Sequence, residues 1–484
     1  MAPPAVATEA THLLHPSVRR VTLSVLTLVG LSAFEGLAVA AALPEVAAAL
    51  GDVALLPWVI TSYLLLSGVS TVAAGALADR VGLRAVFRGA VALFVLGGVL
   101  AGFAPDMKTL IAARVIHGTG AGAVNAVGLT AVGAVFPQRL VARAFAANSI
   151  VWGVMSVAGP GLAAILLSVA SWRWIFWMNL PLGGAALLLG WSAMPGAPPT
   201  ASRALRWSDL LLLMGASMAL LVGVDAMDLS SIPALLVAGA LGAFLLYRSR
   251  GRDDALLAPR HVLSAPLGPL AGAMGLLLVG AIGTQSFLPL YVSGARGGGT
   301  ELVAGSVLFF VLGWTSGANA ASRLAPRTGP ARVLRVGTAI VPFALAAVSA
   351  VAWLQGPLYL LFGALVVAGL GMGLATNTAL SLVRTLAPEG ELGRATAAHQ
   401  FVRNLGFLLG NALFGALMLW VVANLTGDVE SVRAVLGQGS EAAPQPAVVA
   451  AIHTGFATAA TVSACVALLA SLLVPWATRT LRSP

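Results

Sequence analysis

Apolar segments long enough to cross a lipid bilayer recur fourteen times along these 484 residues, and nothing else in the chain limits its fold so strongly. A helix needs about 20 apolar residues to cross a hydrocarbon core of ~30 Å. Six such stretches lie at 21–49, 55–78, 87–104, 108–135, 144–168 and 174–194. Two more follow at 208–226 and 231–247. The last six run at 267–291, 302–323, 333–354, 357–386, 395–425 and 448–476. Hydrocarbon tolerates only segments whose backbone groups bond among themselves, so each stretch reads as a helix. The chain reads as an all-α polytopic membrane protein. At 59% hydrophobic and 9% charged, it lacks the polar surface that a soluble fold of this length needs.

The formal charge of +10 invites a nucleic-acid reading, but its distribution excludes one. With the N-terminus in the cytoplasm, 21 of the 27 Lys+Arg fall in cytoplasmic tails and loops, among them Arg80, Arg84, Arg88, Arg248, Arg250, Arg252 and Arg335. Lys108, Arg173, Arg296 and Arg433 fall outside, and Arg114 and Arg403 inside expected helices. This positive-inside bias places both termini in the cytoplasm. The single Cys465 excludes a disulfide framework. The first 20 residues are polar, so the first helix itself is expected to act as the insertion signal.

The expected organisation is an N-terminal tail at 1–20, a six-helix bundle at 21–194 and a linker with two further helices at 195–250. A second six-helix bundle follows at 251–478, and a short tail at 479–484. Leu77–Arg88 (LADRVGLRAVFR) aligns without gaps to Leu324–Arg335 (LAPRTGPARVLR). Parallel repeats of this kind build several transporter folds, with the substrate site between the halves. Pro326 stands where the first copy has Asp79.

The loop after the second segment, GALADRVGLR, carries chemistry at fixed spacing. Gly75 lets helices approach closely. Asp79 can sit at a helix N-terminus or bond an arginine, and Gly82 makes the turn. Arg80 and Arg84 hold the loop on the cytoplasmic side. In the fourth segment Arg114, Gly118, Ala121 and Asn125 share a face, with His117 beside it. An arginine in a membrane helix costs about 2.5–3.5 kcal/mol on insertion scales, so it should face a cavity or a partner. In the fifth segment, GVMSVAGPGLA, Gly153 and Gly159 accept a close neighbour and Pro160 bends the helix.

Glu35, in FEGLAVAAALPEV, is the one carboxylate placed deep in an expected helix. A carboxyl group removed from water holds its proton more firmly, and a neighbouring arginine opposes that. Glu35 with Arg114 would make a proton-sensitive pair, or else an inert structural one. His399 and Arg403 lie one turn apart in the thirteenth segment. They line a cavity, or His399 is a plain interfacial residue. Asn148, Trp152, Gln285 and Asn377, with His117 and Asn125, are further cavity candidates. Each polar one could equally serve as an interhelical hydrogen bond.

These motifs resemble those of the major facilitator superfamily, in order along the first six helices. GALADRVGLR is similar to the family's loop between the second and third helices, which implies a conformational latch. LIAARVIHGTGAGAVNAVG resembles the fourth-helix motif whose arginine is tied to proton transfer. Gly159-Pro160 matches the motif of the antiporter branch. WRWIFWMNLPLG and the first-helix signature resemble fourteen-helix drug:proton antiporters, with Glu35 in the place of an Asp and Leu37 and Ala40 replacing the usual Thr and Asn. The resemblance implies two six-helix bundles plus two central helices, alternating access, and proton-coupled export of a drug, antibiotic or secondary metabolite. An uptake symporter or facilitator for a nutrient or lipid is the alternative. The expected partners are a small hydrophobic or amphipathic substrate, protons and the bilayer of the cell membrane, with a monomeric chain. No nucleotide loop, metal cluster or catalytic motif occurs in the sequence, so neither a cofactor nor an enzyme is expected.

Overall fold

The computed structural model describes residues 10–52, 55–196, 206–226, 231–252, 255–298, 300–389, 391–426 and 446–478. Most of the 195–207 connection, nearly all of the 426–447 loop and both chain ends lie outside the described residues. Every regular element among the described residues is helical. In chain order they are α1 (Arg19–Leu50), α2 (Leu56–Val81), α3 (Leu83–Gly102), α4 (Met107–Val135) and α5 (Gln138–Val169). Then come α6 (Arg173–Trp177), α7 (Asn179–Gly190), α8 (Trp207–Ala226), α9 (Ser231–Arg248) and the short α10 (Pro259–Val262). The chain continues with α11 (Leu267–Leu290), α12 (Thr300–Thr328), α13 (Pro330–Trp353), α14 (Leu358–Leu386), α15 (Leu392–Thr426) and α16 (Pro446–Ala477).

Each of the fourteen apolar stretches falls on helix. The stretch at 174–194 breaks at Met178 into α6 and α7, and α7's 12 residues rise only about 18 Å. Eight helices among the described residues are long and apolar enough to cross a membrane: α2, α3, α4, α11, α13, α14, α15 and α16.

Local chemistry sets several helix ends. Asp106 is extended and caps α4, accepting the Thr109 N–H at 2.8 Å. Gly82 separates α2 from α3 at φ 88°, in the region that favours glycine. Gly329 does the same between α12 and α13 at φ 86°. The two glycines occupy the same place in the repeat found in the sequence.

The chain packs into two compact units. The first holds Met1–Ala219, Leu236–Leu267 and Leu380–Phe401. By packing, Leu380–Phe401 belongs to this unit, whereas the sequence places it in the C-terminal bundle. Helix α4 lies against α2 and α3. A Cβ on Gly118 or Gly122 would overlap the backbone of Tyr63 or Ser67 in α2. Lipid tails are as apolar as leucine, so helices in hydrocarbon associate by such close contacts and by hydrogen bonds. One such bond runs from the Thr71 hydroxyl to the Gly122 carbonyl at 3.1 Å.

The second unit holds Leu220–Leu235, Gly268–Ala379 and Val402–Pro484. Helices α13 and α16 pack along their lengths. Phe287 stacks on Phe414 and Tyr291 on Phe456. The Arg296 guanidinium donates to the Tyr291 hydroxyl at 3.2 Å, and that hydroxyl lies 3.1 Å from His453 Nε2.

Candidate functional site

Helices α1, α2, α4 and α7 of the first unit bring charged and polar groups together in its interior. Glu35 from α1 is fully buried and forms an ion pair with Arg114 of α4, which is 2% exposed. Glu35 stands 16 residues beyond the start of α1, about 24 Å along the helix. The Arg114 Nε–H donates to the Val59 carbonyl at 3.0 Å, and the guanidinium lies 4.1 Å from the Tyr63 ring centroid, both on α2. One turn further on, His117 Nδ1 lies 3.1 Å from an Arg114 terminal nitrogen and 3.6 Å from Glu35 Oε1. Asn179 donates to Glu35 Oε2 at 3.3 Å and to the Phe176 carbonyl at 2.9 Å. Phe94 and Phe176 close the sides against His117.

The arrangement is a compensated charge pair enclosed by protein. Two of the arginine's other partners, the Val59 carbonyl and the Tyr63 ring, are neutral and do not depend on the charge of Glu35. Breaking a buried pair by removing one partner costs about 3–5 kcal/mol, because the remaining charge is left without compensation. A proton on Glu35 changes the charge of the site by one unit with no change in covalent structure.

A second cluster gathers at the start of α15. Asp79 accepts the Gly393 and Arg394 N–H groups at 3.0 Å each, with the Arg394 guanidinium 3.5 Å away. A Cβ on Gly75 would overlap Gly393 and Ala397, so α2 and α15 meet there closely. Glu391 receives a two-pronged contact from Arg260 of α10 at 2.5 and 3.0 Å. It also accepts from His261 at 2.7 Å and from Arg394 at 3.0 Å. Burial pushes the Glu391 carboxyl up, but the Arg260 and His261 hydrogen bonds and the Arg394 charge outweigh it and hold it below its ordinary value. Burial likewise holds the His261 imidazole down, against the pull of Glu391.

The remaining candidates from the sequence are spread over the molecule. Arg84 bonds the Met194 and Ser192 carbonyls at 2.7 and 3.3 Å, closing α3 onto the end of α7. Arg80 is half-buried beside Gly82. Asn125 is half-buried on α4. Asn148 lines a small cleft with Leu13, Thr22 and Phe136. Trp152 is 47% exposed on α5. Gly153 and Gly159 lie in the same helix, and the Pro160 side chain lies outside the described residues. In the second unit Gln285 and Arg403 are half-buried, and Asn377 donates across to the Ala318 carbonyl at 2.8 Å. His399 is buried on α15.

Sequence reasoning named Glu35, Arg114 and His117 but missed Tyr63, Asn179, Arg260, His261, Glu391 and Arg394. Asn179 stands inside the WRWIFWMNLPLG segment, so its neighbourhood carried a signal. Glu391 stands directly before a helix start, where an acidic residue is a recognisable capping signal.

Such a bundle, with eight membrane-length helices among the described residues and a buried ion pair between α1 and α4, is that of a multi-pass membrane protein. The profile of the Major Facilitator Superfamily matches residues 25–411, and the chain belongs to that family. An uncharacterised MFS-type transporter of Mycobacterium tuberculosis is 30% identical over 419 residues, 84% of this chain, and this chain spans 60% of that relative's length. A multidrug resistance protein B homolog of the same organism is 28% identical over 76% of this chain and 70% of its own length. The multidrug transporter protein MdtP of Bacillus subtilis is 23% identical over 82% of this chain and 74% of its own. Among solved structures, the human organic anion transporter MFSD10 superposes with a TM-score of 0.66 at 16% identity, covering 95% of this chain and 100% of that one. The proton:xylose symporter XylE gives 0.60 at 14% identity, covering 94% of each. At these identities the likeness is one of fold.

Proposed function

We propose that this chain is a proton-coupled antiporter that exports a drug, antibiotic or secondary metabolite across the cell membrane. It works as a monomer of fourteen crossings with both termini in the cytoplasm. The observation that carries this reading is the buried Glu35–Arg114 pair, since ionisable groups inside membrane helices usually mark ion or substrate pathways. The multidrug names of two relatives support a drug-like cargo, and the resemblance of Gly159-Pro160 to the antiporter motif supports export. Protons arriving from outside neutralise Glu35, weaken its hold on Arg114 and favour release of substrate outward. Loss of the proton to the cytoplasm restores the pair. Asp79 of α2, bonded to the start of α15, acts as a latch, and Gly75 gives it the close approach it needs. Asn125, Asn148, Trp152, Gln285, Asn377, His399 and Arg403 remain candidates for the substrate cavity, and two arginines with one carboxylate favour neutral, zwitterionic or anionic cargo.

The test is collapse of a pH gradient in everted vesicles, using a panel of antibiotics and lipophilic ions on wild type and Glu35→Gln. Substrate-triggered proton release that vanishes in Glu35→Gln supports the scheme. Proton-coupled export that survives in that variant refutes the role of Glu35. Silence of the wild type across the panel would point to the uptake reading.

A further inference from the structure

His117 is fully buried, and its hydrogen-bonding pattern is forced by its neighbour. A guanidinium has donors only, so the 3.1 Å contact with Arg114 requires Nδ1 to accept. The ring proton therefore sits on Nε2. That Nε2–H is buried and has no hydrogen-bond partner among the described residues; the ring is enclosed by Tyr63, Phe94 and Phe176 instead. An unsatisfied buried donor costs about 1–3 kcal/mol, so packing alone would favour an apolar residue here.

The two oxygens of Glu35 are not equivalent. Oε2 faces the Asn179 amide, which donates to it. Turning that amide over to offer its oxygen would break its 2.9 Å bond to the Phe176 carbonyl and set two oxygens against each other. Oε1 faces Arg114, and its distance to His117 Nδ1 is 3.6 Å, within a small side-chain movement of a hydrogen bond. Arg114 and Asn179 offer Glu35 donors, whereas His117 Nδ1 offers a lone pair.

We propose that His117 is the acceptor that holds the proton once Glu35 has taken it up. A proton from the aqueous phase adds to Oε1, and the new O–H donates to His117 Nδ1. Nδ1 has one lone pair, so it gives up the Arg114 N–H in the same movement. Arg114 stays seated on the Val59 carbonyl and the Tyr63 ring. His117 thus exchanges one donor for another and remains neutral throughout. The other ionisable groups facing it are Glu35 on α1, Tyr63 on α2 and Arg114 on its own helix. This inference rests on the coupling role proposed for Glu35.

Infrared difference spectroscopy of the purified full chain in nanodiscs, titrated with acid, tests it. The probe is the C=O band of a protonated carboxyl, assigned to Glu35 by its loss in Glu35→Gln. His117→Phe keeps the ring shape and removes the acceptor, so the band should shift to higher wavenumber. His117→Gln restores an acceptor and should keep the band near its wild-type position. An unshifted band in a folded His117→Phe protein overturns the proposal while leaving Glu35 as the coupling group. If His117→Phe does not fold, His117→Leu takes its place under the same criterion. Absence of any Glu35-dependent band in wild type at all accessible pH values removes the coupling reading, and this inference with it.

Discussion

Asp79 and Pro326 hold equivalent places in two copies of one loop, and only the first is tied to a helix end. Both copies leave a helix through Gly–φ-positive turns, at 88° for Gly82 and 86° for Gly329. Both carry a terminal arginine, Arg88 and Arg335, yet their bonding differs. Arg88 bonds the Trp191 carbonyl at 2.8 Å and lies over the Trp191 ring, whereas Arg335 bonds the Ala331 carbonyl one turn back on its own helix. Asp79 accepts two backbone N–H groups, while Pro326 is exposed in the last turn of α12. The repeat therefore conserves a backbone turn and discards an interaction. The turn is set by the torsion of one residue. The interaction needs a carboxylate and a helix start facing it.

The buried Glu35–Arg114 pair of the first unit supplies the largest expected effect. Arg114→Ala should lower stability by about 3–5 kcal/mol, because Glu35 is left buried without compensation. Adding Glu35→Gln to Arg114→Ala should recover much of that loss, as read by thermal unfolding in detergent. A double variant no more stable than Arg114→Ala would mean that the arginine's bonds to Val59 and Tyr63, rather than the pair, dominate.

Next come the turns themselves. Gly82→Val and Gly329→Val should each cost about 1–3 kcal/mol, since a β-branched residue is strained at that φ. Similar losses are expected from the matching torsions. A loss at one turn and none at the other would show that the repeat is formal only.

Smaller still is the loop's side-chain bond. Asp79→Ala should cost about 0.5–2 kcal/mol, the range for removing a helix cap, and should raise hydrogen exchange at Gly393 and Arg394. Pro326→Ala should leave stability unchanged within about 0.5 kcal/mol or raise it. A destabilising Pro326→Ala would break the contrast between the two loops.

The smallest effect concerns acid. The His261 imidazole is held below its ordinary value, so folding favours its neutral form and its contribution is complete above about pH 6.5. That contribution falls away as the pH drops below this point. The Glu391 carboxyl is also held below its ordinary value, so its contribution is lost only at more acid pH than that of His261. The exchange rate in the first turn of α15, divided by the intrinsic rate at each pH, should therefore rise between pH 7 and pH 5, and His261→Gln should flatten that rise. A ratio in that turn that is independent of pH in wild type would exclude His261 as a contributor.

The positions of the helices were legible because a bilayer imposes a length and a polarity that composition alone reveals. The Glu35–Arg114 pair was legible too, since each is an isolated charge in an apolar helix and needs compensation. Asn179 and Tyr63 were not, because an amide or a phenol in a membrane segment has many innocuous uses. Glu391 with Arg260 and His261 escaped for another reason. They lie about 130 residues apart in the chain, and charged residues in polar loops are ordinary.

The sequence by itself determined an all-helical membrane chain, its family motifs and the turn at Gly82. Each of these follows from local chemistry: apolar length, fixed spacing, and the absence of a Cβ. Only the tertiary structure decided which donors and acceptors face one another. It set Asp79 against the start of α15, Glu391 against α10, and His117 with its single lone pair between a cation and a carboxylate. Such pairings depend on distances of a few ångströms between segments remote in the chain, and no local pattern encodes them.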